Sequence, residues 1–343
     1  MTEKTSLRKK PTQFDVARLA GVSQTTVSLV LNNPETQSVP PETREKVREA
    51  IRSLGYLPNN AARVLRTART FTLACIIPMI TNPFYPAFVS GVQDVAEENG
   101  YEVMTYNTHN SQEKEARVVQ VIRQGRVDGV VGVFFHLRAR DLVPLFAQNI
   151  AVARLEVRRH TVGELPLDNL FVDNVSAARD AVDFLVRRGH QRIAMLTGFY
   201  GPREARREGY LQALSQSGED FLPQVVEVGS YDEKGGYEGM LQLIRQGGER
   251  PSAIFAANDL MAIGAIKAAR EHGLRVPEDI SVVGFDDIPA AALVTPALTT
   301  IHQFQQDMGA RAAQLVIERL NGEAPEGGRV VEMPYELIVR ESA

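Results

Sequence analysis

At 343 residues, 44% of them hydrophobic, the chain is long enough for roughly two or three domains with sizeable cores, which excludes a disordered protein. No run of 18 or more apolar residues is present, the start "MTEKTSLRKK" has no apolar segment behind it, and a single cysteine, Cys75, excludes an internal disulfide. A soluble, cytoplasmic, globular protein without a membrane partner is expected. The net charge of −4 is unevenly spread: residues 1 to 70 hold twelve Lys and Arg against six Asp and Glu, a net +6, which leaves −10 on the remainder. A basic head on an acidic body points to a polyanionic partner for the head alone.

In "PTQFDVARLAGVSQTTVSLVLNN" the residues Val16, Leu19, Ala20, Val22, Val27, Val30 and Leu31 recur at helical spacing, broken at Gly21. Thr12 with Asp15 forms a capping-box pattern, and Ser23 is suited to N-cap a second helix. Two short helices about a glycine turn make a helix-turn-helix, the alternative being an ordinary capped hairpin. The second helix presents Gln24, Thr25, Thr26 and Ser28, uncharged hydrogen-bonding groups suited to base edges in a major groove. The basic excess favours the DNA-binding reading. A third helix is expected from about Pro41 to Leu54, with Val47, Ala50, Ile51 and Leu54 on one face and Gly55 ending it. "PNNAARVLRTART" follows over residues 58 to 70, too short to be a stable helix by itself in water.

From Phe71 onward short apolar runs alternate with amphipathic stretches. "FTLACIIP", "YEVMTYN", "VDGVVGVFF", "IAVARLE", "RIAMLTG", "QVVEVG", "SAIFAAND" and "SVVGFDD" read as strands. Helices such as "SAARDAVDFLVRRG" and "DLMAIGAIKAAREHG" lie between them, the signature of parallel sheets covered on both faces. The pattern restarts near "LPLDNLFVDN", so two doubly wound subdomains are expected, with a ligand cleft at the carboxyl ends of their strands. Residues at those ends are the candidate site: Asn82, Phe84, Tyr85, Asp173, Arg206, Tyr231, Asn258 and Asp286, with Asp259 capping the helix after it. A carboxylate accepts from two neighbouring hydroxyls and a guanidinium donates a fork, so Asp286 facing Arg206 suits a polyol, and aromatic rings cover its C–H face. Glu156, Arg158, Arg159, Arg203 and Arg207 could favour an anionic sugar, with surface charge the plainer role.

The segments "DVARLAGVSQTTVSLVLN", "VPPETREKVREAIRSLGYLPNNAARVL", "NPFY", "RRGHQRIAMLTG", "ANDLMAIGA", "VPEDISVVGFDDIP" and "TPALTTIHQ" together resemble the lactose/galactose repressor family of transcription regulators, in order and over nearly the whole chain. The resemblance implies a helix-turn-helix domain at 1–57, a hinge helix and linker at 58–70, and an effector-binding and dimerisation domain at 71–343. That last domain would have the architecture of periplasmic sugar-binding proteins, the chain crossing between subdomains near 173, 288 and 325. The resemblance puts Asn32 with the DNA-facing residues and makes Asn59 open the hinge helix. Ala62 and Arg63 would face the minor groove, and Leu65 would wedge into the central base step. A plain linker is the alternative. Asp173, Arg206, Asn258 and Asp286 match effector-contacting positions, and Tyr85 and Tyr231 match aromatic positions flanking the ligand. Phe14 stands where many members have tyrosine and Leu29 where arginine is common, so the operator sequence does not carry over.

The expected function is a sequence-specific repressor of carbohydrate-utilisation genes. It would bind a near-palindromic operator as a homodimer under control of a small sugar-like effector. No leucine heptad tail follows the last strand, which favours a dimer over a tetramer. The rivals are a purine-type corepressor-dependent repressor and, in a different class, a sugar-binding transport-type protein or a diverged enzyme on the same fold. The six histidines are dispersed without metal-ligand spacing, and there is no P-loop, G-x-S-x-G or G-x-G-x-x-G, so no enzyme, metal or cofactor is expected.

Overall fold

The computed structural model describes residues 11–32, 38–57, 69–158, 163–218, 222–246 and 249–343, with the side chain of Asn32 outside the description. Contacts divide the chain between Thr70 and Phe71. In the head, α1 (Gln13–Ala20), α2 (Gln24–Asn32) and α3 (Pro41–Leu54) enclose a small core of Val16, Ala17, Val27, Val30, Val39, Val47, Ala50 and Tyr56. The Thr12 hydroxyl accepts from the Asp15 amide while the Asp15 carboxylate accepts from the Thr12 amide, the reciprocal cap read from the sequence. Gly21 ends α1 at φ 67° and Gly55 ends α3 at φ 59°, conformations a Cβ would oppose. Leu19, expected in the apolar stripe, is instead 55% exposed. The bundle is so small that α1 presents only Val16, Ala17 and part of Ala20 to it.

The body holds two six-stranded sheets. The first is built from β1 (Thr72–Ile77), β2 (Glu102–Asn107), β3 (Gly129–Val133), β4 (Ala151–Glu156), β5 (Leu167–Val172) and β11 (Val330–Met333), in the order β11-β5-β4-β3-β1-β2 and wholly parallel. Its helices are α4 (Phe84–Glu98), α5 (Gln112–Ile122) and α6 (Ala139–Phe146). The second sheet contains β6 (Ile193–Thr197), β7 (Gln224–Glu227), β8 (Ala253–Ala256), β9 (Ser281–Asp286), β10 (Thr299–His302) and β12 (Glu336–Ile338). Their order is β12-β10-β9-β8-β6-β7, with β12 antiparallel to β10. It carries α7 (Asn174–Arg187), α8 (Arg203–Ser217), α9 (Glu233–Arg245) and α10 (Asp259–Glu271). A last helix, α11 (Gln305–Leu320), returns to the first subdomain and lies on α4. Glycines permit that approach: a Cβ on Gly91 would collide with the Gln306 carbonyl, and one on Gly309 with that of Phe88.

The chain leaves the first sheet after β5, at Asp173. The later crossings are not where the sequence put them. After residue 288 the chain stays in the second subdomain, because β10 pairs in parallel with β9, and it crosses at 303–304. The third crossing falls at 334–335 rather than near 325, because β11 first pairs with β5. Segment 167–172, read as a break in the pattern, is the fully buried strand β5. On it Asp168 is completely buried and receives Arg319 at 2.7 Å and Arg329 at 2.9 Å. Burial alone would raise its pKa, but the two guanidiniums overcome this and hold the carboxyl below its usual range.

Candidate DNA-reading surface and effector cleft

At the start of α2 the Ser23 hydroxyl accepts from the Thr26 amide at 3.1 Å and shares a bond of 2.9 Å with the Thr26 hydroxyl. Ser23 and Thr26 are thereby engaged in capping the helix. Gln24 and Thr25 are exposed, and Ser28 is half-buried. Thr12 is engaged in the α1 cap. Phe14 and Leu29 are 58% and 42% exposed, so the two positions that depart from the family pattern sit on the surface. On α3, Arg52 and Arg48 pair with Glu45 at 2.7 and 3.9 Å, the solvated face expected of them. Asn59, Ala62, Arg63 and Leu65, together with the Asn32 side chain, lie outside the described residues.

In the body, a cleft of about 830 Å³, open mouth included, lies at the carboxyl ends of the two sheets, where small-molecule sites of this architecture form. Asn82, Phe84, Tyr85, Arg206, Tyr231, Asn258 and Asp286 all line it. Its centre is a buried ion pair. Arg206, at the first turn of α8, donates from Nε to Asn174 Oδ1 at 3.0 Å and from Nη1 to the Ala257 carbonyl, with Nη2 3.6 Å from Asp286 Oδ1. Its guanidinium also stacks 3.6 Å from the centre of the Phe285 ring. Asp286 Oδ1 accepts from Gln303 Nε2 at 2.7 Å, and the Asp286 carbonyl accepts from Gln305. At φ 117°, Asp286 occupies a backbone region that a non-glycine residue adopts only under constraint, and these side-chain bonds supply it.

Burial pushes the Asp286 carboxyl up to about 7, although Arg206 and Gln303 both pull it down. The same burial lowers Arg206, with Asp286 opposing. Tyr85 is raised by burial and then by the charge of Asp286, so its hydroxyl remains protonated as a donor. Tyr231 is raised by burial, its hydroxyl bonded to that of Thr197 at 3.0 Å.

Several sequence expectations change. Asp173 does not line the cleft: its carboxylate caps α7, accepting from the Ser176 amide at 3.1 Å. The next residue, Asn174, lines it instead, held by the Val157 and Val172 carbonyls. Asn258, not Asp259, caps α10, accepting from the Met261 amide at 2.9 Å and donating to the Tyr231 carbonyl at 3.1 Å. Asp259 is fully buried, braced by Thr300 at 2.5 Å and the Ile288 amide at 2.8 Å, and burial followed by the charge of Asp286 raises it well above a normal carboxyl. Glu156, Asn110, Phe135, Tyr200 and Gln303 also line the cleft, among others. Of these, Glu156 is named from the sequence as a possible contact, Phe135 ends the expected strand "VDGVVGVFF" and Gln303 ends "TPALTTIHQ", while Asn110 and Tyr200 stand in no segment singled out there. Asn110 owes its place to a left-handed turn (φ 54°) that no local pattern announces. Of the four arginines named as possible anion contacts, Arg158, Arg203 and Arg207 are absent from the wall, and Arg159 lies outside the described residues.

Residues 13–59 match the bacterial regulatory proteins of the lacI family, and residues 182–343 match a periplasmic binding protein-like domain. The chain belongs to the lacI family and is a DNA-binding transcription regulator. Among its relatives, the HTH-type transcriptional repressor PurR of Pasteurella multocida is 35% identical over 335 residues, covering 96% of this chain and 97% of the other. The Lac repressor bound to ONPG in its repressed state superposes with a TM-score of 0.85 at 29% identity, over 98% of this chain and all of that one. A complex of the regulator CelR with cellobiose gives a TM-score of 0.69 at 30% identity, over 97% of this chain and 100% of that one. No helix among the described residues is long and apolar enough to cross a membrane.

Proposed function

We propose that this regulator is a homodimeric repressor of carbohydrate-utilisation genes whose grip on a near-palindromic operator is set by a small polyhydroxylated effector in the cleft. The observation that carries the reading is the buried Arg206 and Asp286 pair at the strand ends, both reaching the cavity between aromatic walls. Asp286 Oδ1 is occupied by Gln303 and Arg206, which leaves Oδ2 for a ligand hydroxyl. Phe84 and Tyr85 on one side and Tyr200 and Tyr231 on the other supply apolar faces for ring C–H groups.

Asp286 is also tied to residues 303 and 305, where the chain crosses between subdomains. A ligand on this carboxylate therefore acts on the crossover itself, and the subdomain angle is the natural two-state element. In the head, Gln24 and Thr25 would read base edges, with Thr12, Ser23, Thr26, Ser28 and Asn32 around them. Residues 58 to 70 would form the hinge, with Asn59 opening it, Ala62 and Arg63 in the minor groove and Leu65 as the wedge. The protein binds rather than transforms its ligand, and it works in the cytoplasm.

A purine corepressor is the second reading, favoured by the packed Tyr200 and Tyr231 rings of the wall, against which a planar base could stack. The test of the DNA half is selection from a random duplex pool. A two-fold symmetric site should emerge, and Leu65→Ser should bind it more weakly and bend it less. Absence of any enriched sequence would defeat the reading.

A further inference from the structure

We infer that the effector is electrically neutral, because every charged side chain that the described cleft presents is already neutralised by a protein partner. This deepens the cleft reading above and rests on it. The charged residues of the wall are Arg206, Asp286 and Glu156, and no Lys or His is among the described residues there. Arg206 faces Asp286 at 3.6 Å, and Glu156 is bound by Arg154 at 2.5 Å, with the Arg154 side chain only 8% exposed. Arg154 is in turn fixed by its Nε bond to Asn169 Oδ1 at 2.8 Å, so it is not available to move toward a ligand.

Two arginines near the cleft are also paired, while Arg207 lies outside the wall. Arg158 pairs with Glu208 at 2.8 Å, and Arg203 with Glu204 at 2.6 Å and Glu227 at 3.7 Å. A phosphate or carboxylate entering this cavity would lose its water and meet two carboxylates whose counter-charges are already engaged. A cation would meet two carboxylates that are each already paired, Asp286 with Arg206 and Glu156 with Arg154. The polar groups that remain suit neutral ligands: the Asn82 side chain, whose Oδ1 is taken by the Phe84 amide, turns its NH₂ to use, and Asn110 Oδ1 is buried without a partner.

The test is calorimetry at pH 8, above the value of about 7 to which burial pushes Asp286, so that the pair is mostly charged. Matched compounds are compared: D-glucose with D-glucose 6-phosphate, D-galactose with D-galacturonate, cellobiose with cellobionate, and inosine with inosine 5′-monophosphate. A neutral member should bind, and its anionic counterpart should bind at least roughly 100-fold more weakly. In parallel, the intact protein is equilibrated with the small-molecule fraction of a cell extract and weighed by native mass spectrometry beside Asp286→Asn. A retained compound that Asp286→Asn fails to hold should carry no phosphate or carboxylate. An anion that binds as tightly as its neutral counterpart, or an acidic compound retained in this way, overturns neutrality while leaving the cleft as the site. A compound retained equally by Asp286→Asn, or no ligand in either experiment, counts against the cleft reading itself.

Discussion

Replacing Asp286 by Asn separates binding from folding. At 3.6 Å the attraction of Arg206 for the carboxylate is about 5 kcal/mol at an effective dielectric of about 20. Burial outweighs it, since the carboxyl is pushed from 3.8 up to about 7, which places the ionised form on the order of 4 kcal/mol above its cost in water. The amide has the same shape. Its oxygen can keep the Oδ1 position, accepting from Gln303, while its NH₂ takes the Oδ2 position. Asp286→Asn is therefore expected to be at least as stable as wild type at pH 8, despite the loss of an ion pair.

The sign follows from linkage: a carboxyl raised in the fold adds stability that is complete below 3.8 and lost as pH rises through about 7. The advantage of Asp286→Asn over wild type should accordingly shrink toward zero between pH 7 and pH 4 in urea titrations. Its ligand affinity should move the other way. A hydroxyl that donated to a carboxylate would meet an NH₂, and the lost charge-assisted bond is worth about 1.5 to 3 kcal/mol, or roughly 10- to 150-fold in Kd. The assay is calorimetry of both proteins with whichever compound of the neutral series binds. A variant that loses about 2 kcal/mol of stability at pH 8, or binds that compound as wild type does, would refute the reasoning.

Other substitutions probe other parts of the molecule. Asp168→Ala strands Arg319 and Arg329 in a buried site and should cost about 3 to 5 kcal/mol in urea denaturation, and a loss under 1 kcal/mol would contradict the brace. Thr12→Ala removes the reciprocal cap of α1 and should lower head stability by about 1 kcal/mol, visible as a reduced melting temperature of the head. Exchanging Gln24 and Thr25 should alter preference at a few operator positions by about 1 to 3 kcal/mol per lost bidentate contact, and an unchanged selection profile would exclude them from base reading.

The strands legible in the sequence were those with unbroken apolar runs, such as "LACII" in β1 and "VVGF" in β9, buried on both faces of a parallel sheet. Those missed carry polar residues that only tertiary partners make tolerable. Asp168 and Asn169 interrupt β5 and are satisfied by arginines, Arg329 from far along the chain and Arg154 from the neighbouring β4, while Thr299 and Thr300 open β10, bonded to Arg340 and Asp259. Half-buried β11 has no strong pattern of its own. Misplacing β10 and β11 also shifted the second and third crossings. In the cleft, residues just after recognised strands were found by position, as with Asn82, Asn258 and Asp286. Whether a side chain there turns inward or caps a helix depends on one backbone step, which is why Asp173 and Asn174 exchanged roles.

The central claim is that occupation of the cleft changes the grip of the head on DNA. Fluorescence anisotropy of the selected operator duplex, titrated with wild type and with Asp286→Asn in the presence and absence of the bound compound, tests it most directly. The compound should shift the operator midpoint of wild type by about 5- to 150-fold, the usual range of coupling between sites, and shift that of Asp286→Asn far less. Identical midpoints for wild type with and without a compound that calorimetry shows to be bound would contradict it.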